Sequence, residues 1–124
     1  MGQVTRLKQS EQVRLDPDPL DQLVLRMGHA AAEDLVRRAL HELSDRLIEV
    51  EELLRRDQLA RMGKCARSLG AIAEQLGMRA LARVARDVAA CAAAGDRVAI
   101  AATVARLMRL GEGSLAQIWA QPAI

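Results

Sequence analysis

Two histidines, two cysteines and an arginine set between glycines hold the chemical options of this chain. His29 and His41 are its only imidazoles, and Cys65 and Cys91 its only thiols. A thiol becomes a nucleophile when a base or a positive environment lowers its pKa. No base stands at helical spacing from Cys65, so packing is its expected role. The two cysteines are far apart, with no Cys-x-x-Cys spacing and no clustered histidines. Neither a disulfide nor a metal site is expected, and no cofactor is implied. His29 falls in the joint after Gly28, and His41 stands beside Leu40 in an apolar series. Surface or half-buried histidines are expected at both places. Arg67 is different, because Gly63 and Gly70 lie one turn either side of it, with Lys64, Ala71 and Glu74 nearby.

The elements that must position these residues are helical. Of 124 residues, 51% are apolar, drawn from Ala, Leu, Val, Met and Ile, with no Phe, no Tyr and Trp119 as the one aromatic. That mixture favours helix over strand. It also argues against single-stranded nucleic acid binding, which uses aromatic stacking platforms. Eighteen basic residues are interspersed with sixteen acidic ones for a net charge of +2. No block of like charge marks a nucleic-acid or lipid partner. No apolar stretch is long enough to span a bilayer. The first residues lack an apolar signal core, and Arg6 breaks the myristoylation pattern. A cytoplasmic protein is expected.

Residues 1–15 are polar without a sustained period and are expected to form a flexible tail, leaving 16–124 as one domain. Asp18 is a candidate N-cap with Pro19 at the first helical position, and Leu20, Leu23, Val24 and Met27 form a stripe before Gly28. A long helix over 30–56 follows, its seam running through Val36, Leu40, Leu43, Leu47, Val50 and Leu54. Its outer face pairs Glu42 with Arg46, Glu51 with Arg55 and Glu52 with Arg56. Asp57 is a candidate cap for a helix over 58–76, with seam residues Leu59, Met62, Ala66, Leu69, Ala73 and Leu76 and a stop at Gly77.

The next helix, 78–94, presents Leu81, Val84, Val88 and Cys91 and closes at Gly95. Asp96 then caps a helix marked by Ile100, Val104 and Leu107. Gly111-Glu112-Gly113 is expected to interrupt or kink it. Ser114 with Gln117 reads as a capping box for a last turn or two ending near Trp119. Short joints imply antiparallel neighbours. The expected fold is all-α, an up-down antiparallel four-helix bundle with a short N-terminal capping helix.

At about 100° per residue, Arg67 lies about 130° from the middle of the 58–76 seam and faces solvent. Mid-helix glycine costs about 1 kcal/mol relative to alanine. Two readings of Gly63 and Gly70 stay open on spacing alone. They leave the base of Arg67 bare for another molecule's backbone, or, with Gly77 in the same series of seven, they admit a neighbouring helix.

The stretch from Ala66 to Gly77 resembles the signature of the histidine phosphotransfer (HPt) domain, Ala-His-x-Leu-Lys-Gly-small-Ala-x-x-Leu-Gly. Ala66, Leu69, Ala73, Leu76 and Gly77 keep its frame. Arg67 fills the histidine position, and Gly70-Ala71 replaces the Lys-Gly pair. The resemblance extends over about residues 18–110. Leu35-Val36-Arg37-Arg38 through Glu42-Leu43-Ser44-Asp45-Arg46-Leu47 is similar to the preceding HPt helix. Arg56-Asp57 with Leu59-Ala60-Arg61, and Ala94-Gly95-Asp96, are similar to its turns.

The resemblance implies a two-component signalling module that binds a response-regulator receiver domain or a histidine kinase. The family's transfer step needs a nucleophilic ring nitrogen, helped by a nearby lysine. Arg67 stays protonated and has no such lone pair. The implied protein is therefore a binding module and not an enzyme, acting as competitor, adaptor or sequestering partner. Its expected partner surface is Arg67, Lys64, Gly63, Gly70, Ala71 and Glu74. A structural or oligomerisation bundle without a receiver partner is the alternative. Phosphotransfer through His29 or His41, neither of which has a Lys-Gly pair, is the least favoured.

Overall fold

A computed structural model describes residues 17–120, so the expected tail and the last four residues lie outside the described region. Five helices follow one another: α1 Pro17–Met27, α2 His29–Arg55, α3 Leu59–Gln75, α4 Arg79–Ala94 and α5 Arg97–Ala120. No strand occurs among the described residues. The fold is all-α. Each helix packs on the next, α3 against α4 most extensively, and α2 also meets α5.

The apolar periodicity explains which faces are buried. Val36, Leu40, Leu43, Leu47 and Val50 of α2 are in the core, as their spacing predicts. The last place is taken by Leu53, while Leu54 is half-buried. Met62, Ala66, Leu69 and Ala73 of α3 meet Leu81, Val84 and Val88 of α4, with Ile100, Val104, Leu107 and Leu110 from α5. Cys91 is half-buried against this core. On α1, Leu20 and Leu23 pack against it, but Met27 is 42% exposed and falls off the expected stripe.

Helix ends are set by local backbone bonds, and at the α2–α3 joint a tertiary ion pair is added to them. Gly77 adopts φ 78, which lets its N–H donate to the Glu74 carbonyl (3.1 Å) and that of Met78 to the Ala73 carbonyl (2.9 Å). These bonds satisfy carbonyls that α3 would leave unpaired. Gly95 closes α4 in the left-handed conformation, and Asp96 Oδ1 then accepts from the Ala99 N–H (3.1 Å) at the start of α5. Asp18, expected as a cap, lies within the first turn of α1. Asp57 does not cap α3 either. Gln58 holds the N-cap place with no side-chain cap bond, and Asp57 sits at φ 58 with its carboxylate accepting from Arg97 Nη1 (2.6 Å) and Nη2 (3.1 Å). That bidentate pair ties the α2–α3 turn to the first residue of α5 and lowers the Asp57 carboxyl pKa.

The expected break at Gly111-Glu112-Gly113 does not occur. α5 runs unbroken to Ala120, and Ser114, instead of capping a new turn, is buried within it at 1% exposure. The reason for a glycine here is contact with α2. A Cβ built on Gly111 would stand 2.6 Å from Leu47 Cδ1 and 2.9 Å from Cδ2, inside any real carbon contact. Helix–helix packing outweighs a propensity deficit of about 1 kcal/mol per glycine. Of the surface pairs, Arg46–Glu42 (3.4 Å) and Arg56–Glu52 (3.1 Å) form as spaced, whereas Arg55 pairs with Glu52 (2.6 Å) and not with Glu51.

Candidate functional site

α3 carries the residues of interest, and its apolar face decides where each one points. With Leu69 fully buried and Ala66 and Ala73 beside it, Arg67 is forced outward and is exposed. Its guanidinium makes no ion pair or hydrogen bond among the described residues. The expectation of a solvent-facing arginine in mid-helix holds.

Gly63 and Gly70 do not leave its base bare. Both are buried. They lie about 40° and 60° round the helix from Arg67, towards α4. A Cβ on Gly63 would meet Ala92 Cβ at 3.5 Å, and one on Gly70 would meet Ala85 Cβ and the Ala82 carbonyl oxygen at 3.5 Å. The neighbouring-helix reading of the two glycines is the one realised, so they leave the partner surface. Both distances are ordinary van der Waals contacts, so alanine would also fit there.

Ala71 remains with Arg67. The two line a shallow groove between α3 and α4, with Arg86 from α4 and Ala89, Ala90 and Ala93 at its base. Glu74 is exposed but engaged, its carboxylate accepting from Arg86 Nη2 at 2.9 Å. Lys64 faces the other way, into a groove between α2 and α3 shared with Arg46, Glu49 and Arg61. The six residues expected to make one surface are thus divided by α3 itself. Arg67 and Ala71 stay together, Glu74 locks the groove's edge, Lys64 belongs to the opposite flank, and the glycines are interior.

Arg86 and the three alanines of α4 were not among the expected site residues. A signal existed, since Arg79, Arg83 and Arg86 recur at helical spacing and define the outer face of α4. That this face adjoins Arg67 depends on how α4 folds back on α3.

The nucleophiles stand elsewhere. Cys65 is 5% exposed, and its thiol lies 3.3 Å from Glu49 Oε1 and 3.6 Å from the Arg46 carbonyl oxygen, positioned to donate to either. Burial, and then the bond to and the negative charge of Glu49, push its pKa up to about 11. The thiolate is therefore scarce at neutral pH. His29, at the first position of α2, and His41 in its second quarter are both exposed and outside the Arg67 groove. Among the described residues no group of His, Cys, Asp and Glu is arranged to hold a metal, and no helix is long and apolar enough to cross a membrane.

The chemistry open to the Arg67 groove is recognition. A guanidinium free of internal partners offers a planar fork of donors to a carboxylate or phosphate. Small side chains beside it let another backbone approach. Comparison with protein-family models, with curated proteins and with solved structures finds no match to this chain, so its own side chains carry the functional reading.

Proposed function

We propose that this protein is an HPt-like signalling module, an up-down four-helix bundle of α2–α5 with α1 as its cap. It docks the receiver domain of a response regulator, or a histidine kinase, without accepting a phosphoryl group. One observation carries the reading: the side chain at the position matching the family's phosphoaccepting histidine is an exposed, unpaired arginine, set over an alanine-based groove.

A receiver's phosphorylation pocket is lined with carboxylates that hold a divalent metal. Arg67 would form charge-assisted hydrogen bonds with those carboxylates. The result is a docked complex that does not turn over, in which the arginine competes with the metal. Arg86, held by Glu74, borders the same groove and adds positive potential beside it.

The test is calorimetric titration against the receivers and kinases of the host's two-component systems. Arg67→Ala should weaken binding about 10- to 100-fold, the loss expected for a hydrogen bond between charged groups. Ala71→Trp should weaken it by bulk while leaving the melting temperature unchanged, because Ala71 is exposed. Raising magnesium should weaken the wild-type complex more than the Arg67→Ala complex. If both variants bind an identified receiver as well as wild type does, docking does not use this groove. If no receiver or kinase binds at all, the signalling reading falls.

A further inference from the structure

We propose that the groove between α2 and α3 is a binding site for a small dianionic oxyanion of the phosphate class. The proposal does not rest on receiver docking, because it concerns the flank of α3 that carries Lys64 and not the one that carries Arg67.

Two side-chain stripes face each other there. Arg61, Lys64, Cys65 and Ser68 follow one another on α3 at steps that keep them on one side of the helix. Arg46 and Glu49 of α2 stand opposite. With Leu53 they line a solvent-open cavity of ≈ 200 Å³, room for a phosphate group with a small organic substituent. The cavity is too small for a folded partner, and no aromatic side chain lines it to stack a nucleobase.

The charges in the groove are not balanced. Glu49 is the one carboxylate in its lining and is already engaged, with Arg46 Nη1 at 3.6 Å and the Cys65 thiol at 3.3 Å. Arg46 is further held by Glu42 at 3.4 Å. Arg61, by contrast, donates only to the neutral Gln58 amide oxygen at 3.1 Å. Lys64 makes no ion pair or hydrogen bond among the described residues. Two positive charges therefore face the cavity without compensation. They match the charge of a phosphate dianion. Arg61 supplies a planar donor fork, Lys64 a mobile point charge and Ser68 a hydroxyl donor, which is the donor set that oxyanions favour.

The experiment is an amide-shift titration of the ¹⁵N-labelled protein with inorganic phosphate in one arm and glycerol 3-phosphate in the other, against chloride at matched ionic strength. Saturable shifts are expected at Arg46, Arg61, Lys64 and Ser68, and none at Ala71 or Arg86. The arm that saturates at lower concentration shows whether the site prefers the free ion or its ester. Arg61→Ala/Lys64→Ala should weaken binding tenfold or more. The charge-matched control Arg83→Ala/Arg109→Ala, on exposed residues outside both grooves, should bind as wild type does. The spectra themselves report that both variants are folded. The site is refuted if neither ligand gives saturable shifts at those residues, or if Arg61→Ala/Lys64→Ala binds within twofold of wild type. Equal losses in both double variants would equally refute it, because binding would then reflect diffuse positive potential.

Discussion

On one flank of α3, Arg67 and Ala71 stand over a groove whose base is three alanines of α4. On the other, Arg61, Lys64 and Ser68 face Arg46 and Glu49 of α2. The same helix supplies both, from residues at the same spacing. What differs is the neighbour. α4 lays small alanines against Gly63 and Gly70, so apart from Arg86, held by Glu74, little polar surface remains beside Arg67. α2 brings longer, charged residues to the contact, so the other flank holds a connected network around a buried thiol. One surface is suited to another protein's backbone and carboxylates, the other to a small ion. A helix does not have one functional face; its neighbours assign each flank a use.

The comparison can be broken from the largest effect down. Leu69, fully buried, holds α3 in the orientation that both flanks need. Leu69→Ala should cost about 2–5 kcal/mol in denaturant unfolding through the cavity it leaves, and Leu43→Ala should cost a similar amount. No change in the midpoint for either would mean that α3 or α2 is wrongly phased and that neither groove exists as described.

Gly70→Leu comes next. Its side chain would press on Ala85 and the Ala82 carbonyl, so it should destabilise by about 1–3 kcal/mol through overpacking. Ala71→Leu, one residue on and exposed, should leave stability within about 0.5 kcal/mol of wild type. Equal effects at the two positions would erase the division between interior glycines and exposed groove.

A sharper contrast lies among the glycines. Gly63→Ala and Gly70→Ala place the new methyl at ordinary contact distance, so each should gain up to about 1 kcal/mol of helix propensity. Gly111→Ala should instead lose about 1 kcal/mol, because the methyl displaces buried Leu47. Thermal unfolding of the three variants decides it, and Leu47→Ala should relieve the Gly111→Ala defect. If all three alanines stabilise, the contact between α5 and α2 is looser than described.

The effect at Cys65 is absent at neutral pH and appears only in alkali. Its folded pKa of about 11 stands above the ordinary 9.0, so the protonated thiol is favoured in the folded state. The stability from this preference is complete below pH 9 and is lost as pH rises through about 11, as the unfolded thiol ionises first. Wild type should therefore lose stability over that window more steeply than Cys65→Ala. Parallel pH profiles would mean that the α2–α3 network does not hold the thiol.

Much of this molecule was legible in the chain. Alternating steps of three and four, from Val36 to Val50 and from Met62 to Leu76, identify the helices and their buried sides, because an α-helix returns to the same side on that period. Gly77, Gly95 and Asp96 mark ends correctly because turns and caps are satisfied by atoms a few residues away. The outward direction of Arg67 follows from the same phase. Where the expectations failed, the cause was mostly distant in sequence. Gly111 reads as part of a helix break until Leu47 is placed against it. Glu74 reads as partner surface until Arg86 takes it, whereas Asp57 misses the cap place for a local reason, since it is the positive-φ residue of the turn and Gln58 follows it as N-cap.

The sequence by itself determined that α-helices form, where most of them stop and which side of each is apolar. These are local properties, decided by hydrogen bonds within one turn and by the period of apolar side chains. Only the tertiary structure decided which residues share a surface. The separation of Lys64 from Arg67, the burial of Gly63 and Gly70, and the arrival of Arg86 beside Arg67 depend on how closely α4 and α2 approach α3. That approach is set by complementary side-chain volumes on three helices at once, and residue spacing within one helix carries no record of it.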